Sequence, residues 1–255
     1  MRVPRLHIVT DSVDIARAAL SGGAPLIQVR VEDSVSDRAL YDLASRIAPL
    51  CAERGAICVV NDRPHIAVAL RTAAVHVGAD DLPVHATRTV LGGSGLIGAS
   101  ARTPERARQV IAEGADYLGC GQVNPSFTKD VATNVIGLGG LTAVVGAAQG
   151  VPVIAIGGLT LADVPSVLAA GAYGVAVIGA VRDAADPAYA TSALLAAVTP
   201  PTLATQDPRQ IRDHGRIMAQ DSTENPDPAP ERAARKGAEP EGAGPEGAEP
   251  EGAGR

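Results

Sequence analysis

Apolar runs of four or five residues recur along the chain, most of them starting directly after a glycine that closes a stretch with helical spacing. The pattern reads "GGAPLIQVR" from Gly22, "RGAICVVND" from Arg54, "EGADYLGCG" from Glu113, "QGVPVIAIG" from Gln149 and "AGAYGVAVI" from Ala170. Glycine relieves the left-handed conformation that ends a helix, after which the chain is free to enter a strand. Adding "LHIVT" from Leu6, "AVHV" from Ala74 and "LIGAS" from Leu96 brings the predicted strands to eight. The runs are almost continuously apolar instead of alternating, as expected of a parallel sheet covered on both faces. Between them, "TPERARQVIAEG" carries the marks of a helix: Thr103 as N-cap, Pro104 in the first position, Glu105 in the first turn and Gly114 as terminator. Leu40, Leu43, Ile47 and Leu50 also keep helical spacing, and Pro49 is expected to bend or end that helix early. Strands alternating with helices predict a single (β/α)8 TIM barrel over residues 1–198. The alternative, a doubly wound open sheet, is disfavoured because no glycine-rich dinucleotide turn follows the first strand.

From residue 199 to residue 255 the pattern stops. The segment is polar and punctuated by proline, and "GAEPEGAGPE" from Gly237 begins again as "GAEPEGAGR". So few large apolar side chains cannot offset the entropy of ordering, and a disordered tail is expected.

Composition sharpens the picture. The chain has 46% apolar residues but no Trp and one Phe, so its core is built from Val, Ile, Leu and Ala. A net charge of −6 excludes nucleic-acid binding through a general basic surface, and any anionic ligand needs a local cluster. Cys51, Cys58 and Cys120 form no CxxC pair and read as reduced, buried hydrophobes. With no apolar leader after "MRVPRLHIVTDSVD" and no membrane-length run, a cytoplasmic protein with no membrane partner is expected. Nothing in the sequence opposes a homo-oligomer.

In such barrels chemistry sits at the C-terminal ends of the strands. Those ends carry Gln28 and Arg30, Asn61 and Asp62, Asp80 and Asp81, Ser100, and the glycines Gly157, Gly158 and Gly179. Strands three and four are neighbours, so Asp62 and Asp81 are expected to converge at one mouth, where hard carboxylates suit Mg²⁺. Helix caps or surface turns are the alternative role for such aspartates, Asp80 in particular. After the sixth strand, "GQVNPSFTKD" brings Ser126, Thr128 and Lys129 together on a loop suited to phosphate, beside the usual glycine-lined phosphate corner of strands seven and eight.

The ordered set "IVTD", "QVR", "VVNDR" with "IAVAL", "HVGADDLP", "IGAS", "GADYLGCG", "TKD", "VIAIGGLT" and "GVAVIGAV", from about Leu6 to Ala197, resembles the thiamine phosphate synthase and TenI family. The resemblance implies a transferase that joins hydroxymethylpyrimidine pyrophosphate to thiazole phosphate, forming thiamine phosphate and releasing pyrophosphate. It implies pyrophosphate on Gln28, Arg30, Asn61, Ser100 and Lys129, with Arg30, Ser100 and Lys129 serving catalysis, and Mg²⁺ on Asp62 and Asp81. It places the thiazole phosphate on Gly157, Gly158, Gly179, Ser126 and Thr128. A TenI-like thiazole tautomerase and a non-catalytic paralogue that binds thiazole or thiamine phosphate are the alternatives. The first is weakened by Gln122, which stands where the tautomerase has histidine, because an amide does not titrate near neutrality.

Some positions depart from the family. "QVRVE" puts Glu32 where a lysine would meet pyrophosphate. At about 5 Å and an effective dielectric near 20, that carboxylate would repel each unit of phosphate charge by roughly 3 kcal/mol. Arg102, in place of the family's histidine after "IGAS", is expected to supply compensating charge. Ala79, Ser126, Gly179 and Gln122 are further departures, replacing glutamine, threonine, serine and proline.

Overall fold

A computed structural model describes residues 2–125 and 135–199. Eight strands, β1 (Leu6–Thr10), β2 (Leu26–Val29), β3 (Ile57–Asn61), β4 (Ala74–Val77), β5 (Leu96–Ser100), β6 (Tyr117–Cys120), β7 (Val153–Ile156) and β8 (Gly174–Val177), pair in order and in parallel into a closed barrel. The helices between them are α1 (Val13–Ser21), α2 (Asp37–Glu53), α3 (Pro64–Leu70), α4 (Val84–Val90), α5 (Pro104–Ala112), α6 (Gly137–Ala147) and α7 (Val164–Ala169). Beyond β8 come a short α8 (Gly179–Arg182) and α9 (Pro187–Val198). This is the predicted (β/α)8 barrel. Ser126, Thr128, Lys129 and the tail from residue 200 lie outside the described residues.

The apolar surface divides into two layers. The larger lies between sheet and helices and includes Ile8, Ile27, Val60, Val75, Ile97 and Leu118. The smaller fills the barrel with Val9, Leu26, Val59, Leu96, Tyr117, Ile154 and Ala176, the alternate residues of the same strands. All three cysteines are buried and free, as expected of small hydrophobes.

Helix α5 starts and stops as the sequence predicts: the Thr103 side chain accepts from the Arg106 N–H at 3.3 Å, and Gly114 has a φ of 98°. The reading of Pro49 needs correction, because α2 continues through it to Glu53. Proline removes one N–H from the ladder, but Pro49 lies on the solvent side. Leu40, Ala44, Ile47 and Cys51 meanwhile bury the opposite face against the barrel, and that packing outweighs the local penalty.

Candidate active site

The C-terminal mouth of the barrel brings together side chains from β2, β3, β4 and β5. Gln28 and Asn61 face inward and are buried; Arg30 and Ser100, at the ends of β2 and β5, are half-buried. The Arg30 N–H donates to the Thr10 carbonyl at 3.1 Å, tying this extension of β2 to β1.

Asp62 follows the last residue of β3 in the left-handed region, with a φ of 63°, and its N–H donates to the His76 carbonyl at 2.7 Å. A non-glycine residue held there by the neighbouring strand is an uncommon conformation, one that Asp and Asn tolerate better than most. Asp81 reaches the same place from beyond β4. Its Oδ2 accepts from the Gly78 N–H at 2.7 Å, and a Cβ at position 78 would stand only 2.8 Å from that oxygen. The glycine therefore lets the carboxylate fold back over the strand end. Asp81 closes a turn, as the alternative reading allows, and also faces Asp62. Asp80 is exposed.

The Asp62 carboxyl is raised from its ordinary 3.8 to about 7, first by burial, then by a hydrogen bond with Asp81 and by that group's charge, with Arg30 opposing. Two carboxyls that share a proton in this way are suited to share a cation instead. Among the described residues no group of three or more His, Cys, Asp or Glu side chains could hold a metal. Two carboxylates at an open mouth still fit Mg²⁺, which commonly takes its remaining oxygens from water and substrate phosphate.

Glu32 is exposed in the loop after β2, on the rim of a crevice lined by Asp33, Asn61, Asp62 and Arg63. Its solvent contact lowers the expected repulsion: at a dielectric near 80 the same separation of about 5 Å gives roughly 1 kcal/mol. Arg63 anchors this loop, donating from Nη2 to the Val35 carbonyl at 2.7 Å and pairing through Nε with Asp37 at 3.2 Å. Arg102 is exposed directly beyond β5.

On the opposite side, Gly157 and Gly158 have φ values of 103° and 63°. A Cβ on Gly157 would lie 2.7 Å from the Cα of Gln122, and one on Gly158 would strike the Asn124 and Pro125 carbonyls. Asn124 holds this corner by donating to Asp163 at 3.1 Å. Gly179 begins α8, where Arg182 forks onto Asp183 at 2.7 and 3.0 Å, offsetting the carboxylate beside that glycine.

Beneath the mouth lies a polar column that the strand-end reading passed over. His76, in β4, has Nε2 3.1 Å from Ser100 Oγ and Nδ1 3.2 Å from the Tyr117 oxygen. Tyr117 also meets the His7 ring edge-on, with centroids 5.1 Å apart. Burial, with Arg30 nearby, lowers His76 to about 4, so the ring is neutral. His76 is thus a packed, hydrogen-bonded side chain within the barrel. Tyr117 is the residue sequence reasoning missed; its signal is the pair of glycines, Gly98 and Gly119, inside strands β5 and β6. A Cβ on Gly98 would overlap the Tyr117 ring, and one on Gly119 would stand 2.7 Å from His76 Cε1.

The family model described as thiamine monophosphate synthase matches residues 4–181. A thiamine-phosphate synthase from Salinispora arenicola is 53% identical over 203 residues, covering 76% of this chain and 97% of its own. One from Haloquadratum walsbyi is 39% identical over 202 residues, covering 78% and 90%. Among solved structures, thiamine phosphate pyrophosphorylase from Pyrococcus furiosus superposes with a TM-score of 0.69 at 35% identity, covering 76% of this chain and 95% of that one. Matching along most of the barrel, and carrying the acidic pair, Arg30 and Ser100 at one mouth, the chain belongs to the thiamine monophosphate synthase family.

Proposed function

We propose that the chain is a cytoplasmic thiamine phosphate synthase, a transferase that condenses hydroxymethylpyrimidine pyrophosphate with thiazole phosphate. In the reaction the C–O bond to pyrophosphate breaks, the leaving group keeps the electron pair, and the thiazole nitrogen lone pair forms the new C–N bond. The electron-rich aminopyrimidine stabilises the cationic carbon between these events. The protein's task is to neutralise the departing charge and to hold the two partners in line.

Arg30 would receive the pyrophosphate from the β2 side, Asn61 from β3 and Ser100 from β5, with Lys129 reaching in from its loop. Asp62 and Asp81 would hold Mg²⁺, which, when bound, supplies positive charge against the leaving group. Gln28, buried below, would meet the inner end of the pyrophosphate site. The glycines Gly157, Gly158 and Gly179 let a phosphate approach the backbone closely, and with Ser126 and Thr128 they would take the thiazole phosphate.

The observation that carries this reading is the pair of facing carboxylates, Asp62 and Asp81, beside Arg30 in a chain so similar to thiamine-phosphate synthases. The test is pyrophosphate release from the two purified substrates with and without Mg²⁺. Release that needs both substrates and falls away on chelation is expected. Binding of thiazole phosphate with no release would instead support the non-catalytic paralogue.

A further inference from the structure

We propose that Tyr117 and His76 are positioning residues that aim the Ser100 hydroxyl proton out of the barrel, toward the leaving group; the inference rests on the functional reading above. The geometry is a single file of polar groups, Tyr117 from β6, His76 from β4 and Ser100 from β5. The Tyr117 oxygen lies 3.2 Å from His76 Nδ1, and His76 Nε2 lies 3.1 Å from Ser100 Oγ. Strand register places His76 opposite Gly98, Gly98 opposite Tyr117 and Ser100 opposite Gly119. The two glycines thus leave the room in which both rings lie.

Direction follows from donor accounting. Among the described residues His76 Nδ1, at 3.2 Å, is the hydrogen-bond partner of the buried Tyr117 hydroxyl, so the phenol's single proton goes to Nδ1. The His7 ring meets Tyr117 by its edge, and its own Nε2 is engaged with the Pro4 carbonyl at 3.1 Å. With Nδ1 accepting, a neutral imidazole carries its proton on Nε2 and donates it to Ser100 Oγ. The serine oxygen is then an acceptor on its inner side, and its proton turns to the mouth. The opposite tautomer would draw that proton inward and present only lone pairs to an anionic leaving group.

The tautomer can be read directly from imidazole ¹⁵N resonances of the full chain. We expect His76 as the Nε2–H form in the wild type and a mixture of both forms in Tyr117→Phe, which keeps the ring and the packing. Turnover should follow: kcat falls about tenfold to a hundredfold in Tyr117→Phe, the range for losing one well-directed bond to a charged group, while KM for thiazole phosphate stays nearly constant. Ser100→Ala should cost far less in the Tyr117→Phe background than alone, because the two changes remove the same bond. His76→Gln, whose amide can donate where Nε2–H stood, should retain more kcat than His76→Leu. A wild-type His76 protonated on Nδ1, or a folded Tyr117→Phe with unchanged kcat, overturns the relay. A wild-type chain that releases no pyrophosphate would refute the functional reading instead, and the tautomer would still decide the direction of the relay.

Discussion

Replacing Asp62 with Asn should make the metal-free protein more stable in mild alkali and at the same time abolish its response to Mg²⁺. Asn is the informative choice because it tolerates the left-handed backbone, with its φ of 63°, which Ala would strain. The Asp62 carboxyl has a folded value of about 7 against an ordinary 3.8. A carboxyl raised on folding adds stability that is fully present below its unfolded value and is lost as pH rises through its folded value. The window is therefore from about pH 4 to just above pH 7. Taken whole, the displacement corresponds to about 4 kcal/mol, but the mouth is open to water, and a screened contribution of about 1–2 kcal/mol is the defensible figure. For a domain of this size that is about 2–8 °C in Tm. The assay is thermal unfolding near pH 5 and near pH 8, with and without Mg²⁺. Wild type without metal should lose this increment between the two conditions and regain it with Mg²⁺, whereas Asp62→Asn should do neither. If Asp62→Asn is the less stable protein near pH 8 without metal, the carboxylate is being stabilised by its surroundings and the reasoning fails.

Three other outcomes follow from the same site. Lys129→Ala should lower kcat more than it raises KM for thiazole phosphate, because leaving-group charge develops in the transition state; steady-state kinetics with each substrate varied checks this. Deleting residues 200–255 should leave Tm and turnover nearly unchanged, since their composition offers no apolar face to dock, and a fall of several degrees would assign part of the tail to the barrel surface. Glu32→Lys should raise pyrophosphate affinity by about tenfold to thirtyfold, because it removes a weak repulsion and adds an attraction of similar size; Arg102→Ala should cost more in the wild type than in the Glu32→Lys background, as measured by pyrophosphate inhibition.

The barrel was legible because its physics is written locally. Each glycine that stops a helix stands before a wholly apolar run, and parallel pairing of those runs allows few arrangements. The acidic pair was legible for the same reason: once strands three and four are neighbours, residues just past their ends must meet. What escaped the sequence depends on depth and on contacts across the barrel. Pro49 reads as a helix breaker until its solvent-facing position on α2 is known. Tyr117 reads as one more apolar strand residue, because nothing along the chain says that Gly98 faces its ring. Arg63 reads as part of a signature, yet its side chain holds the loop around Val35.

Depth also separates two of the acidic residues that line this crevice. Asp62 and Glu32 line the same crevice, and both would face the same leaving group. Asp62 is partly withdrawn from water and pressed against Asp81, so its charge is costly, and a cation held between the two would relieve that cost. Glu32 stands exposed on the rim, where water screens its charge. Exchanging a lysine for glutamate there removes an attraction of similar small size and adds a weak repulsion, while Arg30, within the mouth, keeps its place. On the proposed function, the electrostatics of the reaction would rest on the half-buried groups at the strand ends. Loop positions one or two residues farther out can change sign without dismantling it.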